Sequence, residues 1–302
     1  MKQKKRVVFV IIFALVFIAG LSLLLYPTIS SWWNRNHQSH AIVQYNEVTS
    51  GLSQREKDEL LEAARIYNDK LFRMYRGEDI DEKTLQEEYW SLLNVYGDGM
   101  MSVITIPRIN VELPVRHGTD ESVLQDGVGH LTNSSLPVGG ANTHTVVSGH
   151  TGLPSARLFT DLEEVQLGDK FYFETLGKRI TYEVDQILVV LPWQADSLAI
   201  EQNQDYCTLI TCTPYGVNSH RLLVRGRRVD NEVDWKTEEE KLKDRNSQMS
   251  VVDKQENESS NLLKDEWLPV YIAFGAVIFL IIGLLVSRTI RFMASGHKRK
   301  RK

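Results

Sequence analysis

Two long apolar segments lie near the ends of the chain, and shorter patterned segments lie between them. Residues 7–26 and 268–287 each run for about 20 residues without a charged side chain, which is the length that an α-helix needs to cross the hydrocarbon core of a bilayer. The pattern therefore predicts two transmembrane helices that flank a large segment, residues 28–266.

The basic residues beside these segments predict how the chain is oriented in the membrane. Four lysines and arginines precede the first segment, and seven follow the second. Since positive charge stays on the cytoplasmic side, both termini are expected in the cytoplasm and the segment between them outside the cell. A cleaved signal peptide is the alternative for the first segment, but its apolar part is longer than the usual 7 to 15 residues or so and no small-x-small cleavage site precedes Trp32.

Helical periodicity follows the first apolar segment. Ser53 and Glu56 have the spacing of a capping box, and apolar residues then recur at intervals of three and four as far as Met74. A second helical segment is predicted from about Glu82 to Val95. We therefore expect an N-terminal helical region over residues 28–98.

From Met101 onward the pattern changes to short β-type runs separated by glycine, proline and asparagine. Such a pattern favours a mainly β fold, either a barrel or a sandwich, with one core over residues 99–230. Short helices are expected at Glu121–Gln125 and Arg157–Val165, and a hairpin turn at Leu176–Lys178. The seven predicted strands are Met101–Ile106, Val111–Val115, His144–Ser148, Phe171–Thr175, Ile180–Leu191, Tyr206–Thr211 and Arg221–Val229.

Charge distribution limits the class of partner. Without the 11 basic residues beside the apolar segments, 24 of the 35 lysines and arginines remain against 39 acidic residues, so the exterior part carries about −15. A nucleic-acid partner would require the opposite sign.

Residues 231–266 are dense in charged and polar side chains and predict a tether, which leaves 267–287 as the second transmembrane helix and 288–302 as a basic cytoplasmic tail.

The only two cysteines lie five residues apart on one predicted strand. Their side chains should therefore point to opposite faces and stand about 16 Å apart, too far for a disulfide. Cys207 shares its face with Leu209 and is expected in the core. Cys212 lies where the strand ends at Thr-Pro-Tyr-Gly, a position typical of a reactive thiol.

Two further residues could act with this thiol. His150 ends an apolar strand between glycines and is the favoured base among the five histidines of residues 99–230, although most histidines have structural roles. Arg221 opens the strand after the Cys212 turn and could hold an oxyanion; a surface salt bridge is its alternative role, and Arg225 on the same face is the weaker competitor. The cysteines and histidines lack zinc-binding spacing, so neither a metal nor another cofactor is expected.

Several motifs resemble those of sortases, and most closely the class C sortases that assemble pili in Gram-positive bacteria. The resemblance covers about residues 92–229. It rests on Leu92-Leu93-Asn94 with Gly97-Asp98-Gly99, Ile104–Pro107 with Ile109-Asn110-Val111, Gly127–Leu131, Leu136–Gly140, Ser148-Gly149-His150, and Thr208–Pro214 with Arg221.

The resemblance implies an eight-stranded β-barrel and a cysteine transpeptidase that cleaves a Leu-Pro-x-Thr-Gly sorting signal between Thr and Gly. Cys212 would form a thioester, His150 would protonate the leaving amine, and Arg221 would stabilise the oxyanion. A lysine amine of a pilin subunit would then resolve the thioester. Candidate substrate-binding residues are Thr211, Ser148 and Leu209, and the loop Pro192–Asp205 is a candidate groove wall.

The chain departs from the class C pattern in two respects, of which the smaller is Ser148 ahead of Gly149-His150, where Thr is commoner but the hydroxyl is kept. Those enzymes usually carry an Asp-Pro-aromatic triplet in a lid over the active cysteine, and no such triplet occurs between Ser50 and Asp98. The nearest candidates for the lid are Asp79-Ile80-Asp81 and the aromatic residues Phe72 and Tyr75.

Three alternatives to a pilus-assembling sortase remain open from the sequence. A sortase could anchor proteins to the cell wall, and an exported cysteine protease could use the same thiol but resolve the thioester with water. A structural wall protein is less consistent with the sequence, because Trp267–Tyr271 carries no Thr-Gly sorting signal before the apolar segment.

Overall fold

The computed structural model describes residues 2–229. Helix α1, Lys2–Gly51, contains the first predicted transmembrane segment and continues past residue 28, where a domain boundary was expected. Among the described residues, α1 is the one helix that is long and apolar enough to cross a membrane. The side chains of its most apolar stretch are not buried. The second predicted span, the tether and the basic tail lie outside the described residues.

Eight strands close into a barrel, as the resemblance implied. Their order around the barrel is β1-β2-β3-β4-β7-β8-β6-β5, with β5 pairing back to β1. Most neighbours are antiparallel, but β2–β3 and β4–β7 are parallel. The strands are β1 Met100–Ile106, β2 Val111–His117, β3 Val128–His130, β4 Thr143–Ser148, β5 Lys170–Thr175, β6 Lys178–Val190, β7 Asp205–Thr213 and β8 His220–Arg228.

The sequence pattern identified seven of these strands and missed β3. This strand has only three residues, fewer than an alternating pattern needs to become visible. The predicted helix at Arg157–Val165 is wrong, because only a short 3-10 turn, Leu162–Glu164, forms there. In that segment Phe159, Leu162 and Val165 are buried against the barrel, so its apolar residues reflect packing and not helical periodicity.

The β5–β6 hairpin forms at the predicted position. Thr175 pairs with Lys178, so the turn consists of Leu176 and Gly177, both at positive φ (51° and 79°). Two positive φ values give the turn the twist that joins antiparallel strands. The Leu176 side chain is buried, and its backbone N–H donates to the hydroxyl of Tyr45 in α1 at 3.0 Å.

Two more helices pack on the barrel, α2 at Gln54–Tyr75 and α3 at Glu82–Ser91. The capping box of Ser53 and Glu56 forms as predicted, whereas α3 ends four residues before the expected Val95. Asn68 of α2 exchanges two hydrogen bonds with the backbone of Leu136, at 2.7 and 3.1 Å. These buried bonds fix α2 to the segment between β3 and β4.

The core confirms the assignment of Cys207. Its side chain is fully buried among the apolar residues of the barrel interior, and burial raises the pKa of its thiol far above the ordinary value. Both cysteines are free. Cys207 is therefore a structural residue, and Cys212 is the accessible thiol.

Candidate active site

Cys212 and Arg221 are direct cross-strand neighbours. In the antiparallel pair β7–β8, Cys212 is the register partner of Arg221, and Thr213 that of His220. Side chains of register partners point to the same face with Cα atoms about 5 Å apart. Cys212 is partly accessible, so its sulfur and the guanidinium share the outer face at one end of the barrel.

The segment that carries His150 is bonded to β7 immediately beside Cys212. Strand β4 runs parallel to β7, with Ser148 opposite Ile210. The pairing continues past the end of β4, because Gly149 N–H donates to Ile210 O at 3.0 Å and Thr211 Oγ1 donates to Gly149 O at 2.8 Å. The next residue on each segment is His150 and Cys212, so the register makes these two residues neighbours at this end of the barrel.

Gly149 allows this arrangement because it lacks a side chain. A Cβ at this position would lie 2.8 Å from the ring of Phe159, closer than carbon atoms can approach. The ring is held there by a hydrogen bond from Phe159 N–H to His150 O at 3.1 Å. The close approach of Phe159 thus fixes the backbone that presents the imidazole.

The other four histidines of residues 99–230 are less suited to act on Cys212. His117, His130 and His144 are almost fully buried, and burial lowers the pKa of each, to about 4 for His130. His220 precedes Arg221 on β8, so its side chain projects to the opposite face of that strand. His150 retains 28% of its side-chain exposure and follows the segment that is bonded to β7 beside Cys212.

His150 has a carboxylate neighbour that the sequence did not reveal. Glu121 begins helix α4, Glu121–Asp126, and its Oε2 lies 3.6 Å from His150 Nε2. Its other carboxylate oxygen accepts a hydrogen bond from Gln125 Nε2 at 3.0 Å. The sequence predicted only a short helix for this segment, because the contact of Glu121 with His150 depends on how β2, α4 and β3 fold together.

Arg221 and Arg225 have different surroundings. Arg221 forms no ion pair with any residue in the range 2–229, and its Nη1 donates to the backbone oxygens of His220 and Asn218 at 3.1 and 3.3 Å. Arg225 makes a two-point contact with Asp185 at 3.1 and 3.0 Å and stacks over the ring of Tyr206. Four residues along a strand correspond to about 13 Å, so Arg225 is also too far from Cys212.

The proposed substrate-binding role of Leu209 and Thr211 requires a correction. Both side chains are buried, Leu209 in the barrel core and Thr211 against Gly149. Alternation along β7 instead places Ile210 on the outer face with Cys212, and Ile210 is the register partner of Ser148. Ser148 and Ile210 are both partly exposed and line the surface leading to Cys212.

Two loops make contacts with the segments that carry His150 and Cys212. In the loop between β6 and β7, the carbonyl of Ala199 contacts His144 Nδ1 at 2.9 Å, and His144 Nε2 contacts Thr208 Oγ1 at 2.8 Å. After β7, the exposed ring of Tyr215 packs against Gly152, two residues beyond His150. Both loops are therefore fixed to the strands that carry His150 and Cys212.

The candidate lid residues make polar contacts elsewhere. Asp81 caps helix α3 through the backbone and hydroxyl of Thr84, and Tyr75 donates to Asn133 O at 3.2 Å. Across residues 2–229, the segment Asp79–Asp81 forms no hydrogen bond or ion pair with Cys212, His150 or Arg221. Within the same range no group of three histidine, cysteine or acidic side chains could hold a metal ion.

Comparison with known proteins identifies similar chains. The sortase domain family matches residues 104–229. Sortase D of Bacillus subtilis is 30% identical over 130 residues, which cover 42% of this chain and 63% of that protein. Sortase A of Streptococcus agalactiae is 31% identical over 113 residues, or 36% of this chain and 45% of that protein. The chain thus spans less than two thirds of the length of these curated relatives.

Solved structures agree over a longer segment. The crystal structure of sortase C1 from Streptococcus agalactiae is 42% identical, with a TM-score of 0.60, and the match covers 64% of this chain and all of that one. Sortase C of Clostridium perfringens, solved with the C-terminal cell wall sorting motif, is 42% identical with a TM-score of 0.57 and covers 64% of this chain and 99% of its own. These structural neighbours are sortases of class C.

Proposed function

The chain belongs to the sortase family, and we propose that it is a class C transpeptidase whose reaction is carried by Cys212, His150 and Arg221. The observation that carries the proposal is the register of three neighbouring segments. The β7–β8 pair puts Cys212 opposite Arg221, and the β4–β7 pair continues to His150 beside Cys212.

The positions of the three side chains suggest a role for each. The Cys212 thiolate attacks the carbonyl carbon of the scissile peptide bond and forms a C–S bond. The carbonyl oxygen becomes an oxyanion, which the neighbouring Arg221 guanidinium stabilises through hydrogen bonds and charge. The C–N bond then breaks, and protonated His150 gives its proton to the departing amine.

A second amine completes the transfer. The thioester left on Cys212 is attacked by this amine, which loses a proton to neutral His150 as the C–S bond breaks. Water competes for the same thioester, so transpeptidation requires that the amine be bound close to it. The surface formed by Ser148, Ile210 and the bordering loops is the proposed binding site for the acyl part of the substrate.

For the substrate we propose a Leu-Pro-x-Thr-Gly sorting signal, cleaved between Thr and Gly, with a pilin lysine as the acceptor. The similar sortase C of Clostridium perfringens was solved with a cell wall sorting motif, and the structure of Streptococcus pneumoniae sortase C gave insights into pilin substrate specificity. The class C likeness of the structural neighbours favours polymerisation of pili over wall anchoring.

We further propose that the enzyme is anchored in the membrane with residues 99–230 as the catalytic domain outside the cell. Helix α1 is long and apolar enough to span a bilayer, and the lysines before it predict a cytoplasmic N-terminus. A second span at 267–287 would return the C-terminus to the cytoplasm.

The test uses the full-length enzyme in membranes with a sorting-signal peptide, with and without an added amine. We expect a thioester on Cys212 and a product in which the amine replaces the leaving group, and Cys212→Ala should form neither. Cys207→Ala is the matched control and should remain active. If hydrolysis proceeded at the same rate with no amine incorporated, the protein would be a protease; loss of activity in Cys207→Ala alone would refute the assignment of the nucleophile.

A further inference from the structure

We propose that Glu121 is a positioning residue that holds the His150 imidazole so that its Nδ1 atom, and not Nε2, exchanges the proton with the substrate amine. This inference deepens the proposed function and rests on it. The juxtaposition that supports it is a row of three side chains, Gln125, Glu121 and His150, that leads from helix α4 to the thiol.

The Glu121 carboxylate is held between the other two side chains of this row. Gln125 Nε2 donates to Glu121 Oε1 at 3.0 Å, which restrains the carboxylate group. The other oxygen, Oε2, then lies 3.6 Å from His150 Nε2. This is an ion-pair distance, slightly longer than a hydrogen bond, and catalytic hydrogen bonds are often long in the absence of substrate.

The two nitrogens of the His150 imidazole differ in accessibility. His150 Nε2 is covered, and within residues 2–229 it has no hydrogen-bond partner, although the residue as a whole keeps 28% of its side-chain exposure. A substrate amine cannot reach a covered nitrogen. The atom that faces the chemistry must therefore be Nδ1, and the carboxylate is the group placed to accept from Nε2–H.

The protons on His150 balance over the two half-reactions. In the imidazolium both nitrogens carry a proton, and Nε2–H points to the Glu121 carboxylate. When the C–N bond of the substrate breaks, the Nδ1 proton passes to the departing nitrogen and the ring becomes neutral while keeping Nε2–H. In the second half-reaction the incoming amine returns a proton to Nδ1. The proton on Nε2 stays in place throughout, so the carboxylate selects one tautomer.

The fold fixes the position of α4 relative to His150. A Cβ on Gly129 of β3 would lie 2.4 Å from Gly118 O and 3.1 Å from the Leu124 side chain of α4. Gly129 is also the register partner of Ser148, two residues before His150. Because β3 has no side chain at this position, α4 can lie close enough to the end of β4 for Glu121 to reach the imidazole.

The experiment compares Glu121→Ala and Glu121→Gln with Asp120→Asn. Asp120 is the preceding exposed carboxylate and makes no side-chain hydrogen bond at the start of α4, so its substitution controls for lost charge. We expect kcat for thioester formation to fall about three- to tenfold in Glu121→Ala, with KM within about twofold of wild type, because an exposed carboxylate contributes modestly and positioning acts on the chemical step. Asp120→Asn should remain within about twofold of wild type.

Histidine nitrogen NMR gives a readout that a structural role would not change. In the wild-type enzyme the neutral His150 ring should carry its proton on Nε2, and Glu121→Ala should shift it toward the Nδ1–H form; His150→Gln identifies the signal. An unchanged tautomer in Glu121→Ala, or equal losses of kcat in Asp120→Asn and Glu121→Ala, would overturn the proposal. Failure of the proposed function would instead show as a wild-type enzyme that forms no thioester.

Discussion

The proposed role of Arg221 leads to a sharp prediction, because a matched arginine lies on the same face of the same strand. Arg221 is opposite Cys212, and within residues 2–229 no carboxylate neutralises it. Arg227, six residues further along β8, is exposed and pairs with Glu183 at 3.1 Å. At about 3.4 Å per residue, Arg227 is about 20 Å away from the thiol and should not affect the reaction.

The magnitude follows from the geometry of the pair. In the proposed reaction the oxyanion forms on the carbonyl oxygen, whose carbon becomes bonded to the Cys212 sulfur, and we take the charge on Arg221 to lie about 4 Å from it. Two unit charges at that separation interact by about 4 kcal/mol at the effective dielectric constant of a protein surface. Arg221 is partly exposed, so the lower part of the range measured for a lost oxyanion donor, about 2.7 kcal/mol or a hundredfold in rate, is the expected loss.

The assay is single-turnover formation of the thioester from a sorting-signal peptide. We expect the rate to fall about a hundredfold in Arg221→Ala and about tenfold in Arg221→Lys, since lysine keeps the charge but not the planar pair of donors. Arg227→Ala should stay within about twofold of wild type. A rate for Arg221→Ala within about threefold of wild type, with the protein still folded, would refute the role of the guanidinium.

The remaining predictions concern the core and the backbone beside the site. Cys207→Ala should lower the free energy of unfolding by about 1 kcal/mol in denaturant titrations and leave the rate of thioester formation unchanged, because Cys207 is buried away from the groove. Gly149→Ala should reduce kcat more than tenfold, because the new Cβ would meet the Phe159 ring at 2.8 Å and displace His150; a fully active variant would contradict this. Tyr89→Phe should cost about 1–3 kcal/mol of stability, since its hydroxyl contacts Gly118 N at 2.9 Å and His130 at 3.1 Å. Burial lowers the pKa of His130 from 6.5 to about 4. The neutral ring therefore makes its full contribution to the free energy of unfolding above about pH 6.5, and this contribution is lost as the pH falls to about 4. Over this window the free energy of unfolding of wild type should fall by about 3 kcal/mol more than that of His130→Gln.

Much of the barrel could be predicted because its strands alternate and end at recognisable turns. The β5–β6 hairpin was located from Leu176 and Gly177, and the buried position of Cys207 from its spacing to Leu209. Strand β3 could not be found, since three residues carry no periodicity and its parallel pairing with β2 depends on the crossover through α4. Apolar residues that pack from an irregular segment, such as Phe159, resemble a helical face when only their spacing is known.

The residues of the site also differ in whether a local turn or a long-range contact brings them together. Cys212 and Arg221 belong to consecutive antiparallel strands, so a short turn brings them together and the sequence pattern could anticipate the pair. His150 reaches Cys212 only through the parallel pairing of β4 with β7, whose register no local turn determines; the bond from Thr211 to Gly149 joins residues 62 positions apart. Glu121 depends on one more long-range contact, that of α4 and β3 at Gly129. Each step away from Cys212 therefore relies on a further tertiary contact, which explains why the pairing of Cys212 with Arg221 could be predicted from the sequence while the carboxylate beside His150 could not.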